Sequence, residues 1–349
     1  VARMRRRQLA ASTTGGVARR ATMDTHPGLP DSPLVDSLAL REAAGLGRAQ
    51  LKLETGQPTG SFKDRGMRVI CRACKQDGAR RVVCSSGGNA GLAATAAARS
   101  FGMEALVFVP ASTNKMMADK IRRAGATVEV SGENWNGADL AARKAAEEEG
   151  NAYVPPFDHE LLWQGHSSMV DELVRQREGV APDLIVVSVG GGGLLAGVLY
   201  GLARHGGEWA TKTKVVAAET EGAASMSAAL KAGKLVRLEA ITTIATTLGA
   251  LQVSQDALDK ALAHPAGCYS VVVSDKEAIE GCLFLADEQR VLVEPSCGTA
   301  LGALRRVTEG KTDVKFDKPM AEVDAVLVVC GGSAITLDML AAYKEQFGS

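Results

Sequence analysis

The chain has 349 residues, 46% of them hydrophobic and 23% charged, with Lys+Arg and Asp+Glu both at 40. That balance fits a globular enzyme of one large or two smaller domains and gives no basic field for nucleic acid. Aromatic residues make up only 4% of the chain, too few for base-stacking platforms, and no apolar run is long enough to span a bilayer.

Residues 1–29 read as a disordered or targeting-like extension. Arg3, Arg5, Arg6, Arg7, Arg19 and Arg20 precede the first acid, Asp24. The composition fits an organelle transit peptide. The weak hydrophobic periodicity favours translated sequence upstream of Met23, so the expected location is cytoplasmic, with targeting by residues 1–22 left open. The seven cysteines are scattered among apolar residues, as suits reduced, buried thiols in a cytosolic protein. Cys71 and Cys74 form a lone C-x-x-C with no second pair, which reads as helix rather than zinc ribbon.

Leu34–Ala43 reads as a helix and Ala49–Glu54 as a strand leading into T-G-S-F-K-D-R-G-M, Thr59–Met67. A helix follows over 66–77. Apolar strands at 81–84, 105–109, 127–130 and 153–154 alternate with helices ending at Arg99, Ala124 and Glu149. A second block follows with a helix over 161–178, strands at 183–189, 214–218, 269–273 and 325–329, and helices at 225–232, 275–289 and 296–308. A last helix ends near Phe347, and 311–323 is a polar surface loop. Strands alternating with helices predict parallel sheets covered on both faces.

Three strands end in glycine turns: S-S-G-G-N-A-G (85–91), V-G-G-G-G-L-L (189–195) and V-C-G-G-S (329–333). Turns at the carboxyl edge of such a sheet are where open α/β folds bind ligands. The run Gly190–Gly193 lets backbone N–H groups and a helix dipole meet a phosphate; tight packing of strand on helix is the plain alternative. It is neither a P-loop nor a dinucleotide fingerprint, so a nucleotide triphosphate and a nicotinamide dehydrogenase are disfavoured. Lys63 sits on a tight turn, where a desolvated amine becomes a nucleophile for a carbonyl; a surface loop with a salt bridge is the plain reading of the same residues. A phosphate site together with a carbonyl-reactive lysine means pyridoxal phosphate.

These blocks, with P-P-F-D-H-E-L-L-W-Q-G-H-S-S, E-T-E-G-A-A-S-M and V-E-P-S-C-G-T-A-L, resemble the serine dehydratase family in matching order from about residue 30 to the end. That family belongs to the tryptophan-synthase-like, fold type II pyridoxal-phosphate enzymes. The resemblance implies an α/β fold of two doubly wound domains with a cofactor cleft between them. A large domain would span 30–65 and 159–349, and a small one 66–158. It implies that Lys63 is joined to the cofactor as an imine, that Phe62 packs near it and that Asn89 bonds its ring hydroxyl. Ser86, Gly87, Gly88, Asn89 and Ala90 would hold the substrate carboxylate. Gly190, Gly191, Gly192, Gly193 and Leu194 would hold the phosphate. Cys330 would face the pyridine nitrogen, where a thiol leaves a weaker electron sink suited to β-elimination. On residue type alone Cys330 is a buried apolar cysteine. Ser333 would bond the ring or cap the last helix. Glu219, with carbonyls of Ala223, Leu248 and Ala250, would bind a monovalent cation such as K+; a solvated or salt-bridged glutamate is the plain reading. His166 reads as a satisfied helix histidine rather than a catalyst.

The implied reaction is dehydration and deamination of L-serine and L-threonine, by a homodimer, with an amino acid as the small-molecule partner. Threonine synthase shares an aspartate after the lysine, Asp64, but needs a second phosphate site, and no spare basic cluster stands out. Racemase chemistry is a modest change at the same site. A non-catalytic amino-acid-binding relative has no need of Lys63.

Overall fold

The computed structural model describes residues 26–348. The expectation for residues 1–25 therefore lies outside the described residues. Residues 26–29, read as part of the extension, lie against the fold: Leu29 is buried, and Arg68 Nε donates to Pro27 O at 2.8 Å.

In chain order the elements are β1 (Leu34–Asp36), α1 (Leu38–Ala44), β2 (Arg48–Leu53), α2 (Lys63–Gln76), β3 (Arg81–Cys84), α3 (Asn89–Ser100), β4 (Glu104–Val109), α4 (Lys115–Ala124), β5 (Thr127–Val130), α5 (Trp135–Ala145) and β6 (Asn151–Tyr153). There follow α6 (Glu160–Gln176), β7 (Leu184–Ser188), α7 (Gly193–His205), α8 (Gly207–Thr211), β8 (Lys214–Thr220), α9 (Ser225–Ala232), α10 (Gln255–Ala263), β9 (Cys268–Val273), α11 (Asp275–Gln289), α12 (Pro295–Thr308), β10 (Asp324–Val329) and α13 (Leu337–Phe347). The helix expected over Leu34–Ala43 is corrected to a short strand and a shorter helix. Ser37 separates them: its side chain accepts the Leu40 N–H and caps α1, while β1 pairs antiparallel with β2. The helix after the lysine turn begins at Lys63 itself, and α8 and α10 were not anticipated.

A six-stranded sheet runs β1-β2-β10-β7-β8-β9, and a four-stranded sheet runs β5-β4-β3-β6. All neighbours but β1 and β2 are parallel. The central strand β7 is buried along its whole length, as a strand covered on both faces must be. Each sheet has its own apolar core, the larger centred on β7, β8 and β10 and the smaller on β3, α2 and α3. The two doubly wound units expected from the alternation are thus present.

Helices α2, α6 and α7 fix the lysine turn relative to the four-glycine turn by close approach. A Cβ on Gly165 of α6 would sit 2.6 Å from Arg65 O. One on Gly66 of α2 would sit 2.7 Å from His166 Cε1, and one on Gly197 of α7 would sit 2.5 Å from His166 Cβ. His166 is therefore the wedge between three helices. Its pKa lies well below normal, chiefly through burial, helped by the positive Lys63 and Arg65. His166 is a helix residue as expected, its ring 4.9 Å centroid to centroid from Phe62, but the expectation of a satisfied histidine is corrected: neither buried ring nitrogen has a hydrogen-bond partner among the described residues.

Candidate active site

The parallel strands β2, β7 and β10 deliver their following turns to one edge of the large sheet. The turn after β10 is stitched to the lysine turn: Phe62 N donates to Cys330 O at 3.1 Å, Gly332 N to Gly60 O at 2.9 Å, and Ser333 Oγ to Thr59 O at 2.8 Å. Asp64 braces the turn from within, its Oδ2 accepting Thr59 N at 2.7 Å and Thr59 Oγ1 at 2.9 Å. Burial raises the Asp64 pKa to about 6, against those two hydrogen bonds. Arg65 anchors the other side in a fully buried cluster, with Nε 2.7 Å from Glu54 and Nη1 2.5 Å from Glu172, which also takes Lys52 Nζ at 2.6 Å. The surface-loop reading of Thr59–Met67 is therefore excluded by the burial of Ser61, Asp64, Arg65 and Met67.

Lys63 is half-buried, and its Nζ donates to Pro156 O at 2.7 Å. Desolvation pulls its pKa to about 8. The next residue, Phe157, packs on the four-glycine turn. A Cβ on Gly191 would strike its ring, and one on Gly193 would sit 2.8 Å from its carbonyl. The Pro156–Phe157 pair thus touches both the amine and the glycine turn. Gly190 packs on the Leu248 backbone, and Gly192, at φ 90°, packs on Ala257 and Val253. The tight packing of the plain alternative is met here. One face of the turn is filled by these neighbours, while α7 starts at Gly193 with first-turn N–H groups that have no partner within the helix.

From the small sheet, α3 starts at Asn89 after Ser86, Gly87 and Gly88, and a Cβ on Gly91 would collide with Ser86 O. A Cβ on Gly87 would clash with the Thr113 side chain at 2.6 Å, so glycine here allows Thr113 a close approach. Ala90 is buried. Asn89 reaches across to the large sheet: Oδ1 accepts Ser333 N at 2.9 Å and Nδ2 donates to Glu294 Oε1. Cys330 is buried, its thiol held neutral by desolvation and by Cys297 beside it. A run of contacts thus joins Lys63, Phe62, Asn89, Cys330 and Ser333, and Pro156–Phe157 extends it to Gly191 and Gly193.

Glu219 ends β8, fully buried, and its carboxylate takes Met226 N and Ser227 N, each at 2.7 Å, and Ser270 Oγ at 3.0 Å. It caps the start of α9, and burial raises its pKa to about 7. The solvated-glutamate reading is therefore corrected. Ala223 and Leu248 cluster with Ala245, and Leu248 O accepts Ala250 N at 2.7 Å.

Three features escaped the sequence. Glu294 meets Asn89 in the site and takes Thr247 Oγ1 on its other oxygen; the signal was an acid just before the proline that opens α12. Arg99, Lys120 and Arg123 line a cavity of about 640 Å³ beside Pro58 and Thr59, where no basic cluster was expected. Lys120 Nζ also bonds Ser333 O.

The fold and this site define an enzyme that works through a carbonyl cofactor. The chain belongs to the pyridoxal-phosphate dependent enzymes, whose family model matches residues 26–337. It is 42% identical over 324 residues to the Bos taurus L-serine dehydratase/L-threonine deaminase, covering 91% of this chain and 95% of that protein. It is 41% identical over 317 residues to the Homo sapiens protein named serine dehydratase-like, covering 91% and 94%. The solved L-serine ammonia-lyase of Rhizomucor miehei superposes with TM-score 0.83 at 36% identity, over 91% of this chain and 99% of that one. Threonine deaminase isoform 2 of Solanum lycopersicum shares the fold, at TM-score 0.81 and 24% identity, over 94% and 91%. Pyridoxal phosphate fits the residues present. A lysine with a depressed pKa is bonded to Pro156, whose neighbour Phe157 packs on a glycine turn that opens a helix and has no room for side chains on its packed face.

Proposed function

We propose that this chain eliminates water and then ammonia from L-serine, and from L-threonine, giving pyruvate or 2-oxobutanoate. The observation that carries the reading is Lys63: an amine with a pKa near 8, held by Pro156, whose neighbour Phe157 packs against the four-glycine turn. Pyridoxal phosphate, when bound, supplies the sink for the electrons released at the substrate Cα. Lys63 holds it and takes the Cα proton. Gly190–Leu194 hold its phosphate through backbone N–H groups, Phe62 packs near it, and Asn89 bonds its hydroxyl. Cys330 would face its nitrogen and Ser333 would bond the ring, the cap of the last helix being Thr336 rather than Ser333. Ser86–Ala90, at the start of α3, hold the substrate carboxylate. The β-hydroxyl leaves with a proton as water. The 2-aminoacrylate released takes up water and loses ammonia, so serine is converted to pyruvate and ammonia without other reactants.

The same proposal includes a monovalent cation at Glu219 with carbonyls of Ala223, Leu248 and Ala250. The buried carboxyl there has hydrogen bonds but no ion-pair partner among the described residues. The cleft divides residues 30–65 and 159–349 from 66–158. The assembly is a homodimer, and the setting is cytoplasmic, which suits seven free thiols. Among the described residues no helix is long and apolar enough to cross a membrane.

A visible absorption spectrum of the purified protein, before and after L-serine, tests the main reading. The expected result is a cofactor band that changes on addition while pyruvate and ammonia accumulate in equal amounts. A band that changes without pyruvate sinks the dehydratase assignment. The cavity lined by Arg99, Lys120 and Arg123 favours one second reading, a substrate carrying an additional phosphate, as in threonine synthase. Turnover of O-phosphohomoserine in place of serine would establish it.

A further inference from the structure

Glu294 is fully buried at the cap of α12, in the middle of the site, yet has no part in the roles above. Its Oε1 accepts the Asn89 amide, and its Oε2 accepts Thr247 Oγ1 at 3.2 Å. Thr247 in turn meets Ser296. Gly332, in the turn after β10, leaves space for the Glu294 carboxyl that any Cβ would occupy. Three separated sequence blocks therefore converge on one carboxylate.

An asparagine amide offers two donors at one end and an acceptor at the other, and nothing in its shape decides which end faces which way. Here both ends are dictated. Ser333 N can only donate, at 2.9 Å, so Oδ1 must face it. An ionised Glu294 can only accept, so Nδ2 must face it, and one Nδ2 hydrogen is left over. Burial raises the Glu294 pKa to about 7, opposed by its bonds to Asn89 and Thr247 and by the Lys120 charge. Cys282 and Cys330 are its other titratable neighbours.

We propose that Glu294 is a positioning residue that locks the Asn89 carboxamide in the orientation needed to meet the cofactor. This rests on the reading above that Asn89 bonds the cofactor hydroxyl. The test is a cycle of four full-length holoenzymes: native, Glu294→Gln, Asn89→Ala and the double variant. Each is equilibrated against graded pyridoxal phosphate, and retained cofactor and band position are read by absorbance. Glu294→Gln should weaken cofactor retention about tenfold and shift the band, the size expected for one hydrogen bond to a charged group. In the Asn89→Ala background the same change should do nothing further. Equal losses in both backgrounds, or no loss from Glu294→Gln, overturn the positioning role. If instead Asn89→Ala itself leaves retention and band unchanged, it is the reading of Asn89 that fails, and the proposal falls with it. Should Glu294→Gln not fold, Thr247→Val frees the other carboxylate oxygen. It should give a smaller loss in the same direction, also absent without Asn89, and a Thr247→Val loss that persists without Asn89 overturns the proposal.

Discussion

At the lysine turn, side chains carry the architecture. Asp64 binds the turn to itself, and Arg65 lies between Glu54 and Glu172 without any exposure. At the four-glycine turn the architecture is backbone: Phe157, Leu248, Val253 and Ala257 press where side chains would stand. Both border the same cleft through Pro156 and Phe157. The comparison teaches that one turn is specified by what it pairs with and the other by what it leaves out. Errors in the two should therefore fail differently, the first by unpaired charge and the second by overpacking.

The largest effect is chemical. Lys63→Ala removes the amine bonded to Pro156 and should lower turnover by about 10²–10⁴-fold, the range for a lost acid–base group. Because the turn is held by Asp64 and Arg65 rather than by Lys63, the urea midpoint should stay near native. A large midpoint shift would show that the lysine also supports the turn. Next comes Arg65→Met, which strands Glu54 and Glu172 as buried, underpaired acids. It should cost about 3–5 kcal/mol, read as a drop in the urea midpoint. A cost below about 1 kcal/mol would mean that side-chain pairing does not hold this turn.

How much of this was legible follows from the range of the interactions. The alternation of strands and helices, the three glycine turns and Lys63 are local patterns, and the sequence displays them directly. The ion cluster is not local: Lys52 and Glu172 are 120 residues apart. Asn89 and Glu294 are separated by 205 residues, and Lys120 and Ser333 by 213. Lys52, Lys120, Glu172 and Glu294 taken singly each read as a solvated charge. The basic cavity was hidden for the same reason, since Arg99 comes from α3 and Arg123 from α4. β1 was missed because three half-exposed residues beside a serine cap carry too little periodicity to separate from the helix that follows.

Glu219 extends the comparison to a third turn, where a buried carboxylate has backbone partners only at Met226 and Ser227. Its folded pKa, near 7, lies above the ordinary 4.5, so the folded state holds the proton more tightly than the unfolded state does. The stabilisation is complete below about pH 4.5 and is lost as pH rises through 7, amounting to roughly 3 kcal/mol. Glu219→Gln should lack this slope and gain stability relative to native between pH 5 and pH 8, seen in urea midpoints of the cofactor-free protein. Added K+ should flatten the native slope if the cation sits there. Parallel pH profiles with and without the substitution would remove Glu219 as the source.

The smallest effect separates packing from phosphate binding at the glycine turn. Gly191→Ala places a methyl against the Phe157 ring, and overpacking of this kind costs about 1–3 kcal/mol. The Phe157 carbonyl is held by Trp163 Nε1 at 2.9 Å, so the ring cannot withdraw without disturbing α6. Adding Phe157→Leu should recover most of the urea midpoint, because the colliding atoms are then gone. Cofactor retention supplies the second axis. If Gly191 serves only packing, retention recovers with the midpoint. If its backbone also meets the phosphate, the double variant regains stability while retention stays low, because the turn repacked around the added methyl and the smaller side chain no longer presents its N–H groups as before. Recovery of both quantities together would count against a phosphate at this turn.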